Sequence, residues 1–224
     1  RVPIDPDRLA KHPGYAPVDW DYVEGDGRNN IVAVIKGQGN GSARSALFNG
    51  HLDVVSAEPV DYWETDPFTP TIDGDWMYGR GAGDMKAGVA AMTYAAKAIE
   101  TAGFALMGDL TLEGVIEEEC CGNGALACMD AGYDADCVLI PEPFGATILT
   151  NQVGVMWFKV FVSGKPRHVL EAGAGANAIE KMFPLIHALR QMESQMNEGP
   201  RPDGYKDTNH PINMNVGVIS GGDW

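Results

Sequence analysis

Leu47-Phe48-Asn49-Gly50-His51-Leu52-Asp53-Val54-Val55 ends a short apolar run in a glycine and then sets a histidine and an aspartate two positions apart. On an extended strand such side chains share one side. The Asp53 carboxylate can then hydrogen-bond one imidazole nitrogen of His51 while the other faces a metal ion. Taken alone, His-x-Asp reads more simply as a solvated strand end. Other carboxylates downstream change that balance. Gly83-Asp84-Met85-Lys86 offers one at the start of a predicted helix, where the helix dipole favours negative charge; a plain N-cap is the competing reading. Glu117-Glu118-Glu119 packs three carboxylates that repel one another unless a cation is near. One of them can ligate a metal while a neighbour acts as general base on metal-bound water, or the run is an exposed acidic strand end. Glu142 sits between Pro141 and Pro143 with a fixed backbone, as a ligand or merely as part of a turn.

One histidine with several carboxylates suits Zn²⁺, Co²⁺ or Mn²⁺ better than a thiolate-loving ion. Carboxylates shared by so few histidines also allow two metals bridged by one aspartate. Such a pair can bind water and an amide carbonyl together.

The elements that must position these groups follow from the pattern. Residues 1–30 read as an irregular lead-in. Residues 31–36 (IVAVIK) predict a buried strand, and the loop GQGNGSAR joins it to a second strand from Ser45, the two expected as a hairpin. Asp61 to Arg80 is polar and aromatic and predicts a long ordered loop. An Ala-rich helix runs to Thr101, with Val89, Met92, Ala96 and Ile99 on one face. A strand from Leu110 to Ile116 leads into the glutamates, a short helix covers 124–131, and a strand over 137–140 leads into Pro141-Glu142-Pro143. Strand and helix alternate, so the expected fold class is α/β with a mostly parallel sheet. His51, Glu118, Glu119 and Glu142 then all fall just past strand C-termini, the edge where open α/β sheets bind ligands. The character changes near Thr150. Strands over 153–163 and 213–219 flank an amphipathic helix over 177–196, with Pro184 expected to kink it or mark its first turn. The domain reading is therefore 1–150 and 151–224, the second a smaller α+β unit.

Composition narrows the function classes. The chain has 224 residues, 45% hydrophobic, with 28 glycines and a net charge of −15. That acidity would repel phosphate backbones, so no nucleic-acid partner is expected. No apolar run is long enough to span a membrane and no leader is visible, so a cytoplasmic protein without membrane contact is expected. Cys120, Cys121, Cys128 and Cys137 lack CxxC or finger-like spacing and read as small buried residues in a reducing compartment rather than a structural zinc site.

GHLDVV, W-x-x-DPFTP, YGRGAGDMKAG, EEECCGNGALA and PEP, in that order, resemble the M20 metallopeptidase family, and SGKPRH and GANAIEK are similar to its lid or dimerisation domain. The resemblance implies a zinc-hydrolase catalytic domain with an inserted, ferredoxin-like lid, and two zinc ions per full-length subunit. It implies His51 and Glu142 as ligands of one zinc, Glu119 of the other, Asp84 as the bridge, Asp53 as the residue orienting His51, and Glu118 as general base. His168 matches a lid histidine that stabilises the oxyanion in a neighbour's site, which implies a homodimer through the lid. Asn177 and Gly221-Gly222 resemble substrate-side positions. The family's last ligand histidine lies beyond the lid, so this chain is expected to be a fragment lacking it. The implied activity is hydrolysis of the amide of N-acyl amino acids or related small amides, in the manner of an acetylornithine deacetylase. A dipeptidase or carboxypeptidase of the same family, or a non-catalytic binding or assembly module, are the alternatives.

Overall fold

The computed structural model describes residues 1–22, 27–39, 41–145, 147–206 and 208–222. Residues 23–26 of the predicted lead-in, residue 40 of the following loop and residues 223–224 lie outside that set. The chain divides into two compact units, Arg1–Gly145 and Ala146–Trp224.

In the first unit, strands β1 (Ile31–Ile35), β2 (Ala46–His51), β5 (Leu110–Val115) and β6 (Cys137–Leu139) form one sheet in the order β1-β5-β2-β6. β5 and β6 both run parallel to β2, while β1 is antiparallel to β5. The sheet is thus mixed α/β and mostly parallel. The expected β1–β2 hairpin does not form, because β5 lies between the two strands. Chain proximity favoured the hairpin, but α2 (Gly88–Thr101) carries the chain across so that β5 pairs β2 in parallel. β2 thereby becomes central and half to fully buried, whereas β1, expected to be buried, is a mostly exposed edge strand.

Helix α2 buries Met92 and Ala96 of the stripe its periodicity predicts, with Val89 and Ile99 half-buried, and buries Gly88 as well. Its first turn approaches the chain near Glu142 closely, since a Cβ on Gly88 would lie 2.2 Å from the Pro141 carbonyl oxygen. The stretch between β2 and α2 is more ordered than a plain loop. It contains a ribbon of β3 (Thr71–Asp73) and β4 (Trp76–Tyr78). The Arg80 guanidinium stacks 5.0 Å above the Trp63 ring, and the Trp63 indole donates to the Ala57 carbonyl at 3.0 Å.

Helix α3 (Asn123–Asp130) packs on β5, and the lead-in closes over it. Val2, Ile4 and Leu9, the last from the short α1 (Pro6–Leu9), share one buried cluster with Val115, Ala127 and Cys128. The lead-in is therefore partly core. Two buried asparagines tie it down. Asn30 donates to the Val2 carbonyl at 3.0 Å and accepts from the Ile116 N–H at 3.0 Å. Asn123 accepts from Ala16 N–H at 3.1 Å and donates back to its carbonyl at 2.9 Å. Gly124 is needed where α3 meets the end of β5, because a Cβ there would sit 1.9 Å from the Ile116 carbonyl oxygen.

The second unit carries α4 (Ala178–Glu198), which passes through Pro184 as one helix, and an isolated bridge between Lys165 and Ala176. The strands predicted over 153–163 and 213–219 are not formed among the described residues. The apolar residues that suggest them are present, yet a strand exists only where its N–H and C=O groups find a partner strand. Val155, Trp157 and Phe161 are 82%, 77% and 87% exposed, so the apolar residues that would bury against such a partner stay open.

Candidate metal centre

β2 ends at His51, and its ring is fully buried. Its Nδ1 lies 2.9 Å from the Asp53 backbone carbonyl, and its Nε2 lies 3.0 Å from Asp84 Oδ1. The carbonyl can only accept, so Nδ1 carries the proton toward it and Nε2 is left to the acidic cluster. Glu118 and Glu142 each bring a carboxylate oxygen to 3.9 Å from the same Nε2. His51, Asp84 and Glu119 form one set of possible ligands, and His51, Glu118 and Glu142 another, with the donor atoms of each set within 4.8 Å of one another.

The parallel pairing explains the convergence. β2, β5 and β6 point the same way, so the segments leaving their C-terminal ends share one edge. Glu118 and Glu119 leave β5, and Glu142 leaves β6. Asp84 arrives from the irregular turn Ala82–Ala87 before α2, where its own backbone is extended (φ −106°, ψ 102°). It therefore lies in the turn ahead of α2, whose N-cap is Ala87 rather than Asp84.

Asp53 orients His51 by a different atom from the one the spacing predicts. The strand stops at His51, so the rule that alternate residues share a side no longer holds at Asp53. Its backbone carbonyl takes the imidazole, and its carboxylate is 3.7 Å from Nδ1. That carboxylate instead accepts the backbone N–H groups of Glu118 at 3.3 Å and Glu119 at 3.1 Å. Glu117 goes elsewhere. Its backbone has a positive φ of 67°, and its buried side chain accepts from the Tyr22 hydroxyl at 2.7 Å. Tyr22 is not among the residues that motif spacing marks.

The electrostatics fit a cation. Burial pushes the Glu118 carboxyl above its ordinary range, the His51 charge opposes this, and Glu119, Asp53 and Asp84 add to it. Burial likewise raises Glu142, with His51 opposing and Asp84 and Glu118 adding. The His51 imidazolium, although disfavoured by burial, is stabilised overall by Asp84, the Asp53 carbonyl, Glu118 and Glu142. Lys86 donates to the Leu52 carbonyl at 2.9 Å, and no lysine or arginine pairs with these carboxylates among the described residues. Carboxylates gathered against one imidazole are what a divalent cation would relieve.

The other predicted positions, His168, Asn177 and Gly221-Gly222, belong to the second unit. His168 is exposed, and its Nδ1 accepts the Leu170 N–H at 3.3 Å at the head of a short 3₁₀ turn. Asn177 caps α4, accepting the N–H groups of Ile179 at 3.0 Å and Glu180 at 3.3 Å. Of the cysteines, Cys128 is fully buried as expected, whereas Cys137 is exposed on β6.

Comparison with known proteins places these motifs. Residues 47–211 match the family described as Peptidase family M20/M25/M40. An N-formyl-4-amino-5-aminomethyl-2-methylpyrimidine deformylase of Bacillus subtilis (strain 168) is 34% identical over 93% of this chain and 50% of its own length. A probable succinyl-diaminopimelate desuccinylase of Staphylococcus aureus (strain MSSA476) is 33% identical over 84% of this chain and 44% of its own. Among solved structures, an M20 family metallo-carboxypeptidase from Sulfolobus solfataricus aligns with a TM-score of 0.43 and 26% identity, covering 50% of this chain and 25% of that one. The chain spans about half the length of the curated relatives it matches. With the match running from β2 through α4 and including every donor around His51, the chain belongs to the peptidase family M20/M25/M40.

Proposed function

We propose that the full-length protein hydrolyses the amide of a small N-acyl compound, using two divalent cations held at the cluster on His51. The observation that carries this reading is the gathering of Asp84, Glu118, Glu119 and Glu142 around one buried imidazole at the C-terminal edge of the sheet. The donor set is one borderline nitrogen and hard oxygens, which suits Zn²⁺ and also Co²⁺ or Mn²⁺. His51 and Glu142 would hold one ion and Glu119 the other, with Asp84 between them. Bound there, the metals supply a Lewis acid for the carbonyl and make water easier to deprotonate.

The chain's own residues have separable tasks. The Asp53 carbonyl fixes the His51 tautomer and leaves Nε2 free for a ligand role. Glu118 is the general base: its side chain is 48% exposed, open to a substrate, and burial raises its pKa above the ordinary carboxylate range, which makes it a better proton acceptor. It removes a proton from the attacking water and delivers it to the leaving amine. The relatives support the acyl-amide class, since the deformylase and the desuccinylase are both named for removing an acyl group. Peptide-bond cleavage, as by a dipeptidase or carboxypeptidase, is the second reading within the family.

The remaining parts of the proposal concern the second unit. It belongs to a lid that also forms a homodimer, with His168 serving a partner's site and Asn177 facing substrate. The surroundings are cytoplasmic; no helix among the described residues is long and apolar enough to cross a membrane.

The test uses the full-length protein. Metal analysis is expected to find about two divalent ions per chain, and chelation to abolish amine release from N-formyl, N-acetyl or N-succinyl substrates. Glu118→Ala is expected to slow release by about 10²–10⁴-fold with metal content unchanged. A metal-free, inactive full-length protein would make it a binding or assembly module instead.

A further inference from the structure

The turn after β5 serves two clusters. Glu118 and Glu119 join His51, while Glu117 takes part in a separate group with the adjacent cysteines. Glu117 Oε2 lies 3.2 Å from Cys121 Sγ, and Cys121 Sγ lies 3.6 Å from Cys120 Sγ. We propose that Glu117, Cys120 and Cys121 form an additional cation site for a thiophilic ion such as Zn²⁺ or Cd²⁺, distinct from the hydrolytic centre.

Geometry supports the assignment. Tetrahedral Zn–S bonds of about 2.3 Å place two sulfurs about 3.8 Å apart, and with Zn–O of about 2.0–2.2 Å a sulfur and an oxygen lie about 3.5 Å apart. The observed separations of 3.6 and 3.2 Å are close to those edges. The backbone already holds the three donors together, because the Glu117 carbonyl accepts the N–H groups of Cys121 at 3.1 Å and Gly122 at 2.6 Å. The Tyr22 hydroxyl donates to the same Glu117 Oε2 at 2.7 Å and so holds the carboxylate in place, as a ligand's outer partner does. Ligand softness separates the two clusters, since two sulfurs select a softer ion than one imidazole among carboxylates.

Binding is a simple exchange. The cation takes both sulfurs as thiolates and one carboxylate oxygen, and two thiol protons leave to solvent. Without an ion the same atoms form a thiol–carboxylate hydrogen-bond group, which is the competing account of the 3.2 Å contact. The motif went unnoticed by spacing rules because adjacent cysteines are not a CxxC pair. The third donor, three residues before the first cysteine, is a glutamate that turns inward only through the positive φ at its own position.

The test titrates the full-length protein, its hydrolytic metals in place, with Cd²⁺. Thiolate-to-cadmium charge-transfer absorption is expected to appear and to saturate at about one ion per chain, and to be lost in the Cys120→Ser/Cys121→Ser double variant. In the unaltered protein Cd²⁺ should slow alkylation of Cys120 and Cys121 by iodoacetamide about tenfold or more, leaving the exposed Cys137 unchanged. Absence of the absorption, its survival in the double variant, or unaltered alkylation at both cysteines would overturn the site. These readouts involve sulfur, so they stand apart from amine release and from metal held by His51.

Discussion

The Asp53 carboxylate accepts the backbone N–H of Glu119 at 3.1 Å. The same residue holds His51 through its carbonyl at 2.9 Å. One residue just past β2 thus ties the histidine to the glutamate-bearing turn that follows β5. Asp53→Ala keeps the carbonyl but frees that turn, so metal affinity and amine release by the full-length protein should fall by about 10–100-fold, the usual scale for a partner behind the ligands. Asp53→Asn, which retains one acceptor oxygen, should lose less. Calorimetric metal titration of both variants measures the difference.

Metal uptake should depend steeply on pH. His51 stays protonated above its ordinary range of about pH 6.5, and Glu118 and Glu142 also hold protons more tightly than usual. A cation must displace these protons, so affinity rises with pH through that range and falls on acidification. Asp84→Asn removes a hydrogen-bonded charge that stabilises the imidazolium, which lowers the His51 pKa and removes a ligand at once. An NMR titration of the metal-free full-length protein should show the His51 midpoint moving down in that variant.

Glu113 offers a test in the sheet. It is 3% exposed, accepts from the Asn49 amide at 2.8 Å through Oε2, and leaves Oε1 without a partner among the described residues. Burial raises its pKa, with Asn49 opposing. The folded state therefore binds the proton more readily than the unfolded chain. Stability at this site is greatest at acid pH and declines as pH rises from the ordinary glutamate range through the raised one. Glu113→Gln cannot ionise, so denaturation midpoints of the full-length protein should lose this part of their pH dependence.

Asn177 can be assigned by pairing two substitutions. As the cap of α4 its replacement by Ala should cost about 1 kcal/mol of stability, and Asn177→Ser should restore most of that. If Ser also restores amine release, the residue acts by holding the helix. If stability recovers while KM stays high, the side chain contacts substrate.

Local pattern carried much of the first unit. The apolar runs that became β2 and β5 and the stripe of α2 are readable because hydrophobic periodicity reports which face will be buried, and β6 shows as a short apolar run although its residues stay exposed. The strand ends then marked His51, Glu118, Glu119 and Glu142 as neighbours on one edge. The lead-in was less legible, since Val2, Ile4 and Leu9 are too sparse to show a period yet still reach the core. The predicted strands of the second unit had the opposite fault: the apolar runs are present, but they cannot specify a partner strand.

What the sequence determined by itself was the inventory: an acidic α/β chain with one histidine and a run of carboxylates at strand ends, in an order shared with the M20/M25/M40 peptidases. Only the tertiary structure decided how those groups are used. Placing β5 between β1 and β2 aligned three strand ends, the end of β2 at His51 left the Asp53 carbonyl rather than its carboxylate on the imidazole, and the positive φ of Glu117 sent its side chain to Tyr22 and the cysteines. Register and backbone torsion set those directions, and both come from long-range strand pairing and close helix packing, which a linear pattern does not encode.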